Sequence, residues 1–190
     1  MTPSAIYEQS IDKQRVAIFG RSQEKIFNFV IDALQKNNKR FDYVADGQDK
    51  LSKSPLLIWK AGEANAHTME FHHHILVLSG VSVAHMEEIH WMEKLADATP
   101  KAGMILYDAT DPQAKRIGSK ERTDVLSVPF EVFKHESKNG QTILISSTNE
   151  KFAVPFSSSE DLKAASAARE LLKKFGVSSS QFYHSISVNQ

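Results

Sequence analysis

With 190 residues and 41% hydrophobic content, the chain can bury one sizeable core and fits a single domain over 1–190. Lysine plus arginine (23) balance aspartate plus glutamate (23), so no global field draws it to nucleic acid or to an anionic membrane. The absence of cysteine excludes disulfides and thiolate metal sites and fits a reducing cytoplasm; residues 1–4 lack the start of a signal peptide, and no apolar run approaches the roughly 18 residues of a membrane span.

Residues 1–13 form a polar lead-in with one short helical turn around Ile6, Tyr7 and Glu8. Val16 to Phe19 is an apolar run that stops at Gly20, after which Ile26, Phe29, Val30, Ala33 and Leu34 recur at helical spacing. This strand, glycine turn and amphipathic helix (Lys25 to Lys36) make the opening βα unit of a nucleotide-binding type of sheet. Phe41 to Val44 reads as a second strand, followed by a polar loop from Asp46. Leu56 to Trp59 and Ile75 to Leu78 are continuous apolar runs, as expected of strands buried on both faces, with a loop and short helix between them. A helix over Ala84 to Ala98 and a strand over Met104 to Tyr107 follow, then a turn from Asp108 to Pro112. Beyond it, Val125–Val128, Phe130–Lys134, Thr142–Ser146 and Lys151–Val154 are short β-prone runs with no helix between them. They are expected to pair antiparallel at the sheet edge. Ser157 to Asp161 offers a cap and early acid for a helix over Leu162 to Phe175, and Ser178 to Ser187 closes the chain as a short helix. The fold class is therefore α/β: a three-layer, mostly parallel sheet with an appended antiparallel β-hairpin region.

A working phosphate loop reads G-x-x-x-x-G-K-[ST], because glycines let backbone N–H groups close around phosphates that a lysine neutralises. After Gly20 this chain lacks the second glycine and the Lys-Ser/Thr pair. Gly20 can then serve either the turn alone or a remnant of phosphate binding. His72, His73 and His74 invite a metal reading, but adjacent residues entering a strand alternate in direction, and surface histidines are expected instead. Glu87, Glu88 and Glu93 read as a solvated helix face, and Trp59 and Trp91 as packing residues.

The order of the pieces resembles the central ATPase domain of the Mur ligases, and among them the murein-peptide ligases. Five stretches carry the resemblance. Residues 5–44 resemble the start of that domain; residues 57–63 its L-L-E-G-D-E strand end; residues 77–85 its I-S-G-I-x-W-D-H; residues 103–112 the strand and D-[DE] turn that follow; and residues 156–188 the G-E-H-N helix and the closing helix. The likeness covers nearly the whole chain but only one of the family's three domains: the UDP-binding amino-terminal domain and the carboxy-terminal ligase domain have no counterpart. The initial Met favours a whole product over a fragment, and the residues leave both open.

Carried over position by position, the resemblance implies a dismantled site. The family's loop G-[ST]-[HN]-G-K-T-T corresponds to Gly20, Arg21, Ser22, Gln23, Glu24, Lys25 and Ile26. Gln23 stands at the second glycine, Glu24 at the phosphate lysine and Lys25 at the magnesium-binding threonine. A one-residue slip returns Lys25 to the lysine's place but sets Ile26 where the hydroxyl belongs. Lys60 replaces the magnesium-binding glutamate while Glu63 remains; Ala84 replaces the aspartate before a remnant His85; and G-E-H-N becomes Ser158, Ser159, Glu160 and Asp161. The resemblance thus implies ATP and Mg²⁺ for the family, but no cofactor, no metal and no catalytic residue here. Two sign reversals, at Glu24 and Lys60, leave two arrangements open: a closed pair across the vacated phosphate space, or two independent exposed side chains.

Two function classes follow. One is a non-catalytic Mur-ligase-like module, linked through the family to peptidoglycan precursor ligation or recycling, that binds a protein partner or itself. The other is an ATP-dependent UDP-N-acetylmuramate–peptide ligase component, or a nucleotide-binding domain, completed by another chain.

Overall fold

The computed structural model describes residues 1–81, 86–138 and 140–188. Helix α1 (Pro3–Glu8) leads into β1 (Gln14–Phe19), which helix α2 (Gln23–Lys36) follows across the loop at Gly20. Strands β2 (Asp42–Val44) and β3 (Leu56–Lys60), a 3-10 helix (Ala66–Phe71) and β4 (Ile75–Leu78) come next, then α3 (Met86–Asp97) and β5 (Met104–Asp108). Helix α4 (Pro112–Gly118) joins β5 to β6 (Leu126–Phe130). Strands β7 (His135–Lys138), β8 (Gln141–Ile145) and β9 (Lys151–Val154) precede the closing helices α5 (Ser159–Lys173) and α6 (Ser179–Ile186). No helix among the described residues is long and apolar enough to cross a membrane.

The six-stranded sheet runs β2-β3-β1-β4-β5-β6 with every neighbouring pair parallel. Side chains alternate along each strand, so every apolar run feeds two cores. Val16, Ile18, Ile58, Val77 and Leu106 face α2, α5 and α6 on one side. Ala17, Phe19, Leu57, Trp59, Leu76 and Ile105 face α1, the 3-10 helix, α3 and α4 on the other. That is why these strands show no polar alternation in sequence. Trp59 packs against Phe19 and Phe71, as expected of a core residue. A buried ion pair, Lys13 with Asp42, ties the lead-in to β2. Burial opposes the Asp42 charge, but Lys13 and the hydroxyls of Ser52 and Ser54 hold its carboxyl below the ordinary range.

Three expectations are corrected. The run at Val125 is not part of the antiparallel region: Leu126–Phe130 is the sixth parallel strand, because α4 supplies the crossover that the Asp-Pro turn conceals. Residues 131–134 belong to no strand, and the antiparallel sheet is a meander of β7, β8 and β9. Of the three adjacent histidines, His73 is buried at 3% exposure and hydrogen-bonded to Thr99 Oγ1 at 3.0 Å. The alternation that keeps the three from sharing one ion also turns the middle one into the core.

Candidate functional site

At the carboxyl end of β1 the chain turns at Gly20 (φ +103°) directly against Ser79, the residue after β4. Three successive N–H groups of the loop are used inside the protein. Arg21 donates to the Gly80 carbonyl at 3.0 Å, Ser22 to the Ser79 carbonyl at 3.5 Å, and Gln23 to the Gly20 carbonyl at 3.1 Å. A phosphate-binding loop works through such N–H groups aimed at the anion. The Gln23 side chain adds a brace: its Oε1 accepts from the Gly62 N–H at 2.9 Å, and its Nε2 donates to the Gly62 carbonyl at 3.3 Å. The loops after β1 and β3 are thereby tied together where the family's loop opens.

The charges are closed as well. Lys60, at the end of β3, meets the carboxylates of both Glu24 and Asp46, and only 10% of its side chain is exposed. Burial works against its charge, yet hydrogen bonding to Asp46 and Glu24 outweighs burial and raises its pKa above the usual lysine value. Of the two arrangements the sequence leaves open, the closed pair is the one found, with Asp46 as an unforeseen third member. Because Glu24 and Asp46 are largely exposed, solvent screens this cluster. A double-mutant cycle in Glu24→Gln and Lys60→Met is expected to give a coupling of about 0.2–1 kcal/mol by urea unfolding. Coupling indistinguishable from zero would mean that the contact contributes nothing.

Lys25 reaches instead to the start of α5, where it pairs with Asp161 at 2.8 Å and Glu160 at 3.1 Å. Hydrogen bonds to Asp161 and Glu160 raise the Lys25 pKa; in return Lys25, with Ser158, depresses Asp161. Glu63 is not drawn into the cluster: it is exposed, and its carbonyl accepts from the Asn65 side chain at 3.3 Å. The remnant His85, with Ala84 before it, lies outside the described residues.

A crevice of about 550 Å³ remains between the ends of β1, β4 and β5 and the start of α5. It sits where the strand order reverses, between β1 and β4, the usual place for a ligand in an open α/β sheet. Arg21 and Lys163 line it against Asp108, Asp111 and Glu160. Lys163 meets Asp108 at 3.3 Å, and Arg21, 68% exposed, meets Asp111 at 3.5 Å. Asp111 also caps α4, accepting from Gln113 and Ala114 N–H. Asp108, Asp111 and Lys163 were not among the expected site residues. Two signals point to them: the Asp-Pro pair that starts a helix, and a lysine one turn beyond Glu160 on the same helix face.

These residues fit Mg²⁺-triphosphate poorly. The loop N–H groups donate to carbonyls, Glu24 sets a carboxylate where an ammonium is needed, and the crevice holds three carboxylates against two cations. Among the described residues no group of three His, Asp or Glu side chains could hold a metal ion.

No protein-family model and no curated protein matches the sequence. Solved structures do. The UDP-N-acetylmuramoylalanyl-D-glutamyl-2,6-diaminopimelate–D-alanyl-D-alanyl ligase of Acinetobacter baumannii aligns with 100% of this chain at a TM-score of 0.78 and 10% identity. The UDP-N-acetylmuramate:L-alanyl-γ-D-glutamyl-meso-diaminopimelate ligase of Neisseria meningitides aligns with 99% at 0.73 and 12% identity. The chain has the fold of the Mur ligases. A MurF ligase of Thermotoga maritima, solved in complex with ADP, aligns with 92% of the chain at 0.73 and 9% identity. The Mur-ligase fold here spans 49% of the Acinetobacter ligase, 70% of the Neisseria ligase and 48% of the Thermotoga ligase. At such identities the likeness is one of fold, and it agrees with the three-layer sheet and appended antiparallel meander.

Proposed function

We propose that this chain is a non-catalytic Mur-ligase-like module, a pseudoenzyme domain that serves by binding a protein partner or a second copy of itself. It binds no nucleotide and needs no Mg²⁺. The observation that carries this reading is the loop after β1, whose Arg21, Ser22 and Gln23 N–H groups all donate to backbone carbonyls. Opening it for phosphate means breaking those bonds, the Gln23–Gly62 amide pair and the Lys60 cluster together. Phosphoryl transfer depends on positioning and charge neutralisation, and a carboxylate at Glu24 opposes both. A link to peptidoglycan precursor ligation or recycling as ancestry is supported by the fold, since similar structures are by name ligases of UDP-N-acetylmuramoyl peptide or of UDP-N-acetylmuramate with a peptide; the absence of cysteine fits a cytoplasmic setting.

The test is thermal unfolding with millimolar ATP and Mg²⁺, paired with a phosphate-release assay. A ligand present at 100 times its Kd stabilises by about 2.7 kcal/mol, which for a domain of this size is roughly 5–10 °C in Tm. No shift and no release above buffer are expected. A rise of several degrees, or turnover abolished by Lys25→Met, would overturn the proposal in favour of a nucleotide-binding component completed by another chain.

A further inference from the structure

Away from the crevice, a groove of about 420 Å³ lies between residues 129–134, running out of β6, and the turn at Ile145, Ser146 and Ser147. Arg169 and Glu170 of α5 and Tyr183 of α6 also line it. The Arg169 guanidinium is fixed on three sides. It stacks over the Phe133 ring at 4.5 Å, donates from Nη1 to the Tyr183 hydroxyl at 2.7 Å, and donates from Nε and Nη2 to Glu170 Oε1 at 3.0 and 2.7 Å. These bonds use three of its five N–H groups. Two remain without a protein acceptor among the described residues, on a side chain only 23% exposed. A structural staple between α5, α6 and Phe133 accounts for the three bonds made and leaves the other two unexplained.

A planar guanidinium whose orientation is already set binds a carboxylate with little further ordering cost. The surroundings choose among anions. The groove's own lining is balanced, Arg169 and Lys134 against Glu170 and Glu131; Lys173, outside the lining, shares Glu170 at 2.9 and 2.8 Å and brings the local sum to a single positive charge. That balance suits a monoanion and disfavours a phosphate dianion. Phe130, Val132 and Ile145 supply hydrocarbon beside the charge. We propose that this groove is a second ligand site, one that binds a monocarboxylate carrying a small apolar group, as presented by a peptide's C-terminal residue or by a free acylated amino acid. The inference is independent of the closed phosphate loop.

Backbone amide NMR titrations of the full chain test it, with N-acetyl-leucine, a tetrapeptide ending in leucine, and the C-terminal amide of each. Saturable shifts at Phe133, Lys134 and Ser147 are expected with the two acids, and at least tenfold weaker binding with the two amides. Tighter binding of the tetrapeptide assigns the groove to a chain terminus; equal or tighter binding of N-acetyl-leucine assigns it to a free acid. Arg169→Lys keeps the charge but loses the fork and should weaken binding at least tenfold. Since Arg169 also staples the fold, the exposed Lys134→Glu serves as the second variant: it turns the net charge of these groups from +1 to −1 without touching the staple and should weaken binding severalfold. Equal binding of acid and amide, no saturable shift, unchanged binding in Lys134→Glu, or shifts confined to the crevice at Ser22 and Lys163 would each overturn the proposal.

Discussion

Replacing Gly20 with alanine should cost about 2–6 kcal/mol in urea unfolding, the largest loss expected from any change at the candidate site. Two effects add. At φ +103° an L-residue is strained whatever space surrounds it, a cost of about 1–3 kcal/mol. A Cβ at this position would also stand 2.1 Å from the Ser79 carbonyl oxygen and 2.6 Å from its carbon. Those are backbone atoms, and Ser79 cannot retreat easily: it follows β4, which is paired with β1 and β5 on its two sides, and its N–H and hydroxyl both donate to the Phe19 carbonyl at 3.0 Å. Overpacking against fixed atoms adds a further 1–3 kcal/mol. Gly62→Ala supplies the control. Its φ is +72°, but nothing lies within 4 Å of the added Cβ, so only the backbone cost of about 1 kcal/mol is expected. If both variants lose the same amount, close approach to Ser79 is not what Gly20 serves. The consequence for function is direct: the packing of β1 against β4 requires this glycine whether or not phosphate ever binds above it.

The parallel sheet was legible because its four inner strands are apolar on both faces, and continuous buried runs such as Leu56–Trp59 and Ile75–Leu78 are the mark of strands inside a parallel sheet. The sixth strand was not. Leu126–Phe130 lies at the edge, half-exposed along most of its length, so its composition resembles that of the antiparallel strands after it. The deciding crossover, α4, buries only Ala114, Ile117 and Gly118 and carries too little apolar periodicity to read as a helix. Its signal lay in the ends: Asp111 as cap and Pro112 at the first helical position. The site divides in the same way. That Gln23, Glu24 and Lys60 oppose phosphate binding follows from residue type alone. Which acid meets which base depends on segments far apart in sequence that the fold brings together, as when Asp46 after β2 joins Lys60 at the end of β3, or Asp161 of α5 joins Lys25 of α2. No local pattern encodes those encounters.

Between pH 6.5 and pH 4 the protein should lose about 3 kcal/mol of stability to one buried imidazole. Burial, with smaller contributions from His74, Arg15 and His72, lowers the His73 pKa from 6.5 to about 3. The folded state therefore keeps this ring neutral over a range in which the unfolded chain takes up a proton. Stability is greatest above pH 6.5 and declines by about 1.4 kcal/mol per unit on acidification, until the folded ring itself protonates near pH 3. The neighbouring His74, lowered by burial and by Arg15, acts in the same direction. The depressed carboxylates, Asp42 and Asp161 among them, also favour the folded state, but their share is lost only once the pH falls below the ordinary carboxylate range, about 4. The interval from 6.5 to 4 thus isolates the histidines. Urea unfolding at pH 7, 5.5 and 4, on the wild type and on His73→Gln, separates the two rings. The glutamine keeps a polar partner for Thr99 but cannot take up the proton, so it should flatten the slope by about one proton's worth while costing stability at pH 7. An unchanged slope in His73→Gln would show that this ring already protonates within the folded protein at mild acidity, and that its burial is not what makes the fold acid-sensitive.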